Sequence, residues 1–289
     1  ELEERGAASQ NGFLLMLGLD NFKEINESMG MDYGDMVLRR TAQCIQRVIR
    51  PDQKLYRVVA DKFLVADFCG RDEAEAIALY RAIRQEINAF IESNCYEVVY
   101  TVSAGIVKLS EIADHSYVNL MKLSEFSMDE AKNGGRNKYY IYDDADYQAF
   151  LKKRQLIRIL RHSVNHEFEG FEVYYQPIVD IKEKRLSSAE SLLRFRARDM
   201  GFVSPAEFIP LLEESGLIIP VGKWVLHTAM EACSKIREIV PDFRISVNLS
   251  YVQVLKSNVL QEILMGVMEY GLKPGSIMIE LTESGFLEA

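Results

Sequence analysis

Apolar runs of strand length alternate along the first half of the chain with segments whose apolar residues recur every three to four positions. The run GFLLMLGL at 12–19 has the length and continuity of a buried strand. Two apolar segments separated only by Ala60 and Asp61 predict a hairpin. The predicted elements are strands at 12–19, 54–59, 62–68, 96–107 and 138–143, and helices at 22–50, at 72–93 and ending near residue 132. This order predicts an α/β domain with one sheet.

A connecting helix precedes the second half of the chain. Residues 145–165 contain no Gly or Pro, and they place an apolar stripe opposite a basic face that we interpret as solvated. Apolar strands then alternate with helices, and Ser204 and Glu207 have the spacing of a capping box. The predicted elements are strands at 173–180, 187–195, 244–250 and 276–284, and helices at 205–215, 221–239 and 252–270. The alternation predicts a parallel sheet or a (β/α) barrel.

Composition and charge indicate a globular protein and argue against nucleic-acid and membrane-surface binding. A chain of 289 residues with 48% hydrophobic residues is long enough for two domains. The net charge of -9 argues against a nucleic-acid or membrane-surface partner, because such surfaces recruit clustered Lys and Arg. The four cysteines lack paired spacing, so we expect buried thiols in a reducing cytosol. Neither a signal peptide nor an apolar run of ~20 residues is present, so we expect a cytoplasmic segment, with any membrane anchor upstream of it.

Polar residues interrupt three apolar strands of the second half: Glu190, Asn248 and Glu280. A carboxylate inside an apolar strand needs a partner, so Glu190 is either paired with Arg194 or a ligand. Because the C-terminal ends of parallel strands share one face, we expect the three side chains to converge on one hard cation. For each residue alone, a hydrogen-bonded polar group at a strand end is the competing interpretation.

Three segments of the first half resemble the GGDEF family, the diguanylate cyclases that join two GTP molecules into cyclic di-GMP. The segments read LDNFKEINESMGMDYGDMVL, TVSAGI and DEAKNGGRN. The resemblance covers about residues 13–143 and implies that this half has the α/β fold of the cyclases.

The signature hairpin and the metal site depart from the GGDEF pattern. Val59, Ala60 and Lys62 replace two glycines and a carboxylate of the signature. Gly18 stands where the family places its first metal-binding Asp, so only Asp61 is left of the carboxylate cluster. One carboxylate is a poor site for two hard cations. We therefore expect a degenerate, non-catalytic domain that retains GTP binding and forms a homodimer.

Four residues of the first half match nucleotide contacts of the GGDEF family. Asn26 and Asp35 correspond to guanine-reading residues, and Lys132 and Arg136 correspond to residues on the phosphate side. For Asn26 and Asp35, a turn Asn and a helix-capping Asp are equally good interpretations. Lys132 and Arg136 also have a plain alternative, because cations at the end of a helix are commonly solvated or complement the helix dipole.

Five segments of the second half resemble the EAL family, metal-dependent phosphodiesterases that hydrolyse cyclic di-GMP to linear pGpG on a (β/α) barrel. They follow one another as YYQPIVD, ESLLRF, PAEFIPLLEESGLI, VNLS and ELTES. The resemblance implies magnesium or manganese at the site, and a catalytic role for Glu190 and Glu283. The residues that it assigns are the metal ligands Glu190, Asn248 and Glu280, the substrate contacts Gln176 and Arg194, and the loop anchor Glu283.

Ser191 replaces the alanine of the name-giving EAL motif. Adjacent residues of a strand point to opposite faces, so Ser191 is expected to face away from the side of the strand that carries Glu190. We expect the substitution to be tolerated.

The EAL pattern continues in the family beyond Glu283, with a paired-Asp loop and a catalytic Lys that this sequence lacks. A barrel of this type usually needs ~250 residues. We therefore expect a longer parent protein or another chain to complete the barrel, and the 289 residues alone to be inactive. The predicted organisation is a degenerate GGDEF domain at 1–144, a connecting helix at 145–165 and the N-terminal half of an EAL domain at 166–289.

The leading functional hypothesis is a cyclic di-GMP phosphodiesterase whose degenerate GGDEF domain regulates the EAL domain. One alternative is a catalytically inactive receptor of GTP or cyclic di-GMP that controls a partner protein. A diguanylate cyclase is a more distant alternative, because the residues at Gly18, Val59, Ala60 and Lys62 each remove part of the cyclase machinery.

Overall fold

The computed structural model describes residues 11–69, 72–93 and 100–281. The chain divides into two units, Glu1–Gln148 and Ala149–Ala289. Each unit contains one sheet and its own hydrophobic core. Among the described residues, no helix combines the length and the hydropathy that a membrane span requires.

The sheet of the first unit has the strand order β2-β3-β1-β4-β5. Its central strand is buried along its whole length and runs antiparallel to both β3 and β4, whereas β4 and β5 are parallel. The strands are β1 (Phe13–Leu19), β2 (Lys54–Val59), β3 (Lys62–Asp67), β4 (Val102–Lys108) and β5 (Tyr139–Ile141). A central strand buried on both faces explains the continuous apolar run at its position in the sequence.

Helices cover both faces of this sheet. The odd-numbered residues Phe13 and Leu15 of β1 belong to one core with the second and third helices, whereas Gly18 faces Met128 on the fourth. The helices that cover it are α1 (Phe22–Met29), α2 (Met31–Val48), α3 (Glu73–Ser93) and α4 (Tyr117–Asn133), with a 3₁₀ turn at Leu109–Glu111. The connecting helix α5 (Asp144–Asn165) follows, and its buried residues Leu156 and Leu160 belong to the core of the second unit. The mixed α/β fold expected for this half is confirmed.

The helical pattern at 22–50 is divided into α1 and α2 at Gly30, whose φ of 87° lies in a region that favours glycine. The β2–β3 hairpin is present as predicted, with Ala60 and Asp61 in its turn. Of the predicted strand at 96–107, the part from 102 belongs to β4, and residues 96–99 lie outside the described part of the chain.

The sheet of the second unit has the order β10-β9-β7-β6, and β8 also pairs with β7. Strands β7, β9 and β10 are parallel, as the alternation of strands and helices predicts. Strand β6 is antiparallel to β7, because a turn of only four residues at 181–184 joins them and a parallel pair needs a much longer crossover. The strands are β6 (Phe171–Asp180), β7 (Arg185–Ala197), β8 (Gly201–Val203), β9 (Arg244–Leu249) and β10 (Ile277–Leu281).

The helices of this unit pack against one face of its sheet. Ala189 and Phe195 of β7 and Val247 of β9 are buried with Phe208 and Val221 in the core between the sheet and the helices. The helices are α6 (Pro205–Glu214), α7 (Ile218–Arg237), α8 (Tyr251–Lys256) and α9 (Val259–Glu269). The alternate residues of the strands therefore lie on the opposite face, where the candidate site is found.

Two local predictions for the second unit are wrong. The Ser204 side chain accepts no capping hydrogen bond, and Glu207 instead pairs with Lys152 at 3.1 Å. The capping box of this unit is at α8, where the backbone N–H of Ser250 donates to Oε1 of Gln253 at 3.1 Å.

The predicted helix at 252–270 is two helices, α8 and α9. Ser257 is extended, with φ -143° and ψ 165°, and its hydroxyl donates to the carbonyl of Gln253 at 2.7 Å. Such a side-chain bond competes with the helical hydrogen-bond pattern and favours the end of a helix.

Candidate functional site

The polar residues of the second unit lie on the sheet face that is opposite to the helices. Glu280 of β10 is paired with Asn248 of β9, and parallel strands point paired side chains to the same face. Glu190 of β7 is paired with Ser246, two residues before Asn248, so Glu190 also lies on this face. Gln176 of β6 is directly opposite Glu190 across the antiparallel pair. Four neighbouring strands thus each supply one polar side chain to a common face.

The closest contact in this group joins Asn248 and Glu190. The side-chain amide of Asn248 donates to Oε1 of Glu190 at 2.9 Å. Glu190 is paired across the strands with Ser246, so Asn248 lies two residues further along β9. Glu190 is half-buried, while Asn248 and Glu280 are exposed. The group is therefore accessible to a ligand from solvent.

The structure decides against an ion pair between Glu190 and Arg194. Both residues lie on β7, and residues four apart along a strand are separated by roughly 13 Å. The Arg194 guanidinium lies 5.9 Å from the centre of the Tyr174 ring and donates to the carbonyl of Leu193 at 3.0 Å. Much of its donor capacity remains for an anionic ligand.

Ser191 faces the helices, as its position next to Glu190 predicts. It is 2% exposed, and its hydroxyl donates to the backbone carbonyl of Ser246 at 2.8 Å. This bond ties β7 to β9 beside the pair formed by Glu190 and Asn248. Ser191 therefore has a packing role and does not lie on the face of the candidate site.

The oxygen donors of this face fit a hard divalent cation. Glu190 and Glu280 offer carboxylate oxygens and Asn248 offers an amide oxygen, which are the donor types that magnesium and manganese take in proteins. In addition, the hydroxyl oxygen of Ser246 is buried beside Glu190 without a hydrogen-bond partner in the described part of the chain. This hydroxyl adds one further oxygen on the face that carries Glu190.

A cavity of about 180 Å³ opens beside the site. Arg194 and Asn248 contribute to its wall, and Glu213 supplies a carboxylate that accepts from the hydroxyl of Ser250 at 2.5 Å. Most of the remaining wall is apolar, from α6 and α7. The last predicted residue of this site, Glu283, lies outside the described residues.

In the first unit, Asn26 packs closely against Gly34. A Cβ atom at Gly34 would lie 1.9 Å from the side-chain oxygen of Asn26, so glycine at this position leaves room for that side chain. Asn26 lies inside α1 and Asp35 inside α2, which begins at Met31. The simpler interpretations as a turn Asn and a helix-capping Asp are therefore wrong. Asp35 is exposed and free to meet a ligand.

Lys132 and Arg136 differ in their surroundings. The Lys132 ammonium donates to the carbonyl of Leu19 at 3.2 Å and pairs with Asp61 at 3.4 Å. Arg136 is exposed in a turn with φ 59°, and its guanidinium has no partner among the described residues. The structure does not bring the two cations together on one partner.

The carboxylates near Lys132 belong to a small charge network. Lys62, which replaces a family carboxylate, pairs with Glu125 at 3.1 Å. Asp129 lies close to both lysines, and burial raises the pKa of its carboxyl group although the two cations oppose this shift. The acidic groups of this region therefore face ammonium groups that belong to the chain itself.

Asp20 is a buried residue whose role the sequence did not reveal. It precedes α1 but does not cap it, because the N-cap position is Asn21 and no side chain caps this helix. Asp20 is 4% exposed and its carboxylate accepts hydrogen bonds from three donors in two other segments of the unit. The donors are the hydroxyls of Thr101 at 2.6 Å and Ser103 at 2.7 Å and the backbone N–H of Asn137 at 3.1 Å.

The hairpin that replaces the GGDEF signature contains backbone strain. Ala60 has a φ of 49°, a left-handed conformation that favours glycine. The pairing of β2 and β3 is also irregular between Arg57 and Val59. The Arg57 guanidinium holds the turn by donating to the carbonyl of Ala60 at 3.1 Å.

Comparison with known proteins matches both halves to families. The family described as "Diguanylate cyclase, GGDEF domain" matches residues 1–138, and the family described as "EAL domain" matches residues 157–289. A solved structure titled "PaMucR Phosphodiesterase, c-di-GMP complex" is 30% identical, covers 46% of this chain and 54% of its own, and has a TM-score of 0.41.

Two curated relatives align with nearly the whole chain. The "Bifunctional diguanylate cyclase/cyclic di-GMP phosphodiesterase MucR" of Pseudomonas aeruginosa is 28% identical over 94% of this chain and 39% of its own length. The "Cyclic di-GMP phosphodiesterase PdeR" of Escherichia coli is 29% identical over 95% of this chain and 41% of its own length. The chain thus spans about two fifths of these relatives. With both domain matches in this order, the chain belongs to the proteins that carry a GGDEF domain followed by an EAL domain.

Proposed function

We propose that this chain is part of a cyclic di-GMP phosphodiesterase whose EAL domain hydrolyses cyclic di-GMP to linear pGpG. The observation that carries the proposal is the placement of Glu190, Asn248 and Glu280 on one face of three adjacent parallel strands. This set of oxygen donors suits magnesium or manganese. The relative PdeR is named as a cyclic di-GMP phosphodiesterase, and MucR as a bifunctional diguanylate cyclase and cyclic di-GMP phosphodiesterase, which supports the same substrate for this chain.

Different residues of the chain would bind the metal ion and the substrate. Glu190 and Glu280 would hold the cation through their negative charge, and Asn248 would add a neutral oxygen. When bound, the cation would lower the pKa of an attacking water and neutralise charge on the phosphodiester. Arg194 would bind the non-bridging phosphate oxygens, because its planar guanidinium can donate two parallel hydrogen bonds.

Gln176, which is opposite Glu190, would orient the substrate from the neighbouring strand. Glu283 would anchor a catalytic loop.

Hydrolysis by the full-length protein tests this assignment. We expect pGpG to form from cyclic di-GMP with Mg²⁺ or Mn²⁺ and not with EDTA, as measured by chromatography. Glu190→Gln should lower the rate more than roughly a hundredfold, because one of the charged donors is lost. The control is Glu169→Gln, which removes a carboxylate from an exposed position. Unchanged hydrolysis by Glu190→Gln would contradict the proposal, whereas binding of cyclic di-GMP without hydrolysis by the wild type would favour a receptor.

For the GGDEF domain we propose a non-catalytic, GTP-binding regulatory role. Asn26 and Asp35 lie on adjacent helices that approach at Gly34, and their amide and carboxylate groups suit the edge of a guanine base. Gly18 and Lys62 lack the carboxylates that cyclase chemistry would need.

Calorimetry with GTP tests the regulatory domain. Asp35→Ala should weaken GTP binding by roughly tenfold or more, because a charge-assisted hydrogen bond is lost. Asp32→Ala, one turn earlier and also exposed, serves as the control. Absence of GTP binding to the wild type would end this proposal, and formation of cyclic di-GMP from GTP would show that the domain is catalytic after all.

A further inference from the structure

The gap left by Gly18 in the GGDEF domain is filled by a side chain of α4. A Cβ atom at Gly18 would lie 2.9 Å from the Lys132 nitrogen and 2.6 Å from the Met128 sulfur. The family places a metal-binding Asp at this position, so the Lys132 ammonium stands beside the point from which that carboxylate would extend.

The neighbours of the Lys132 ammonium are oxygen atoms. It lies 3.2 Å from the carbonyl of Leu19 and 3.4 Å from the carboxylate of Asp61, and its side chain is 24% exposed. A carbonyl and a carboxylate are donor types that hard divalent cations use. Here the carbonyl and the carboxylate already contact the Lys132 ammonium.

A divalent ion does not fit this arrangement. It would have to share Asp61 with Lys132, and like charges at such short range repel each other. The nearby carboxylate of Glu125 is already paired with a second ammonium, that of Lys62. Asp129, the other carboxylate of this region, lies close to both lysines as well. The carboxylates near Gly18 therefore face ammonium groups of the chain, which a divalent ion would have to displace.

We propose that the Lys132 ammonium is the resident cation of the GGDEF domain and excludes a divalent metal ion from it. This role differs from a phosphate contact, because Lys132 is directed to Leu19 and Asp61 of its own chain. The inference depends only on residues of this domain, and its test measures bound Mn²⁺ rather than hydrolysis of cyclic di-GMP.

The test counts bound Mn²⁺ by electron paramagnetic resonance on the full chain. All variants carry Glu190→Gln, which weakens the site of the EAL domain. In this background, adding Asp61→Asn should leave the number of bound Mn²⁺ ions unchanged, because Asp61 holds Lys132 and no metal. Loss of about one Mn²⁺ per chain with Asp61→Asn would overturn the proposal.

The reverse experiment rebuilds a metal site. Gly18→Asp together with Lys132→Met should add about one Mn²⁺ per chain, since a second carboxylate is gained and the competing ammonium is lost. Gly18→Asp with Lys122→Met is the matched control, because Lys122 is an exposed lysine of the same helix. Equal Mn²⁺ binding by the two double variants would contradict the role of Lys132. Circular dichroism verifies that each variant is folded, and the Asp61→Asn comparison decides the question if a double variant does not fold.

Discussion

The amide nitrogen of Asn248 lies 2.9 Å from Oε1 of Glu190, across the parallel pair of β9 and β7. The two residues are 58 positions apart in the chain, and their contact depends on the register of these strands. In this orientation the Asn248 amide donates a hydrogen bond that stabilises the Glu190 carboxylate. Asn248 therefore stabilises the site by this hydrogen bond, and under the proposed function its amide oxygen would also bind the metal.

Replacement of Asn248 by Asp separates these two effects. With EDTA, Asn248→Asp should lower the free energy of unfolding by about 1 kcal/mol, because a hydrogen bond becomes a repulsion between two carboxylates. With Mn²⁺, the melting temperature should rise by more than in the wild type, because the site gains a charged ligand. Thermal unfolding with and without Mn²⁺ measures both. Asn248→Ala should lose metal stabilisation, and a smaller Mn²⁺ effect in Asn248→Asp than in the wild type would contradict the metal site.

Gly34→Ala tests the close approach of α1 and α2. Alanine favours the helix by about 1 kcal/mol over glycine, but its Cβ would displace the Asn26 side chain. We expect the free energy of unfolding to change little while GTP affinity falls, as measured by urea denaturation and calorimetry. Unchanged GTP affinity would show that the position of Asn26 does not matter for the nucleotide.

Asp20→Ala tests the buried carboxylate of the first unit. Its removal leaves the donors of Thr101, Ser103 and Asn137 without their common acceptor. We expect a loss of about 3 kcal/mol in the free energy of unfolding, measured with urea. The exposed Asp32→Ala should cost less than about 1 kcal/mol, the usual contribution of a carboxylate in the first turn of a helix. Similar losses for the two variants would refute the structural role of Asp20.

Ser191→Ala restores the alanine of the EAL motif. The variant loses the hydrogen bond to the carbonyl of Ser246, so we expect a decrease of about 1 kcal/mol in stability. Hydrolysis of cyclic di-GMP by the full-length protein should be unaffected, because Ser191 faces the helices. Ser187→Ala, which removes an exposed hydroxyl, provides the control for stability. A large loss of activity would place Ser191 in the site itself.

The sequence alone determined most of the elements and the types of residue at the site. Local periodicity identifies a buried strand such as β1 or an amphipathic helix such as α5, because the pattern lies within one segment. The motif around Glu190 identified the EAL half for the same reason. A local pattern misleads where the same residues can either cap a helix or not. Ser204 is an example, because the residues of a capping box are present but the Ser204 side chain forms no capping hydrogen bond.

The tertiary structure decided which of these residues meet. Lys132 contacts the carbonyl of Leu19 over a separation of 113 positions, and Asp20 accepts from Ser103 over 83 positions. Such contacts depend on strand register and on how helices pack on the sheet, and no local pattern encodes them. Glu190 depends on both. The sequence shows that its carboxylate needs a partner, and the pairing of β7 with β9 makes that partner Asn248 rather than Arg194.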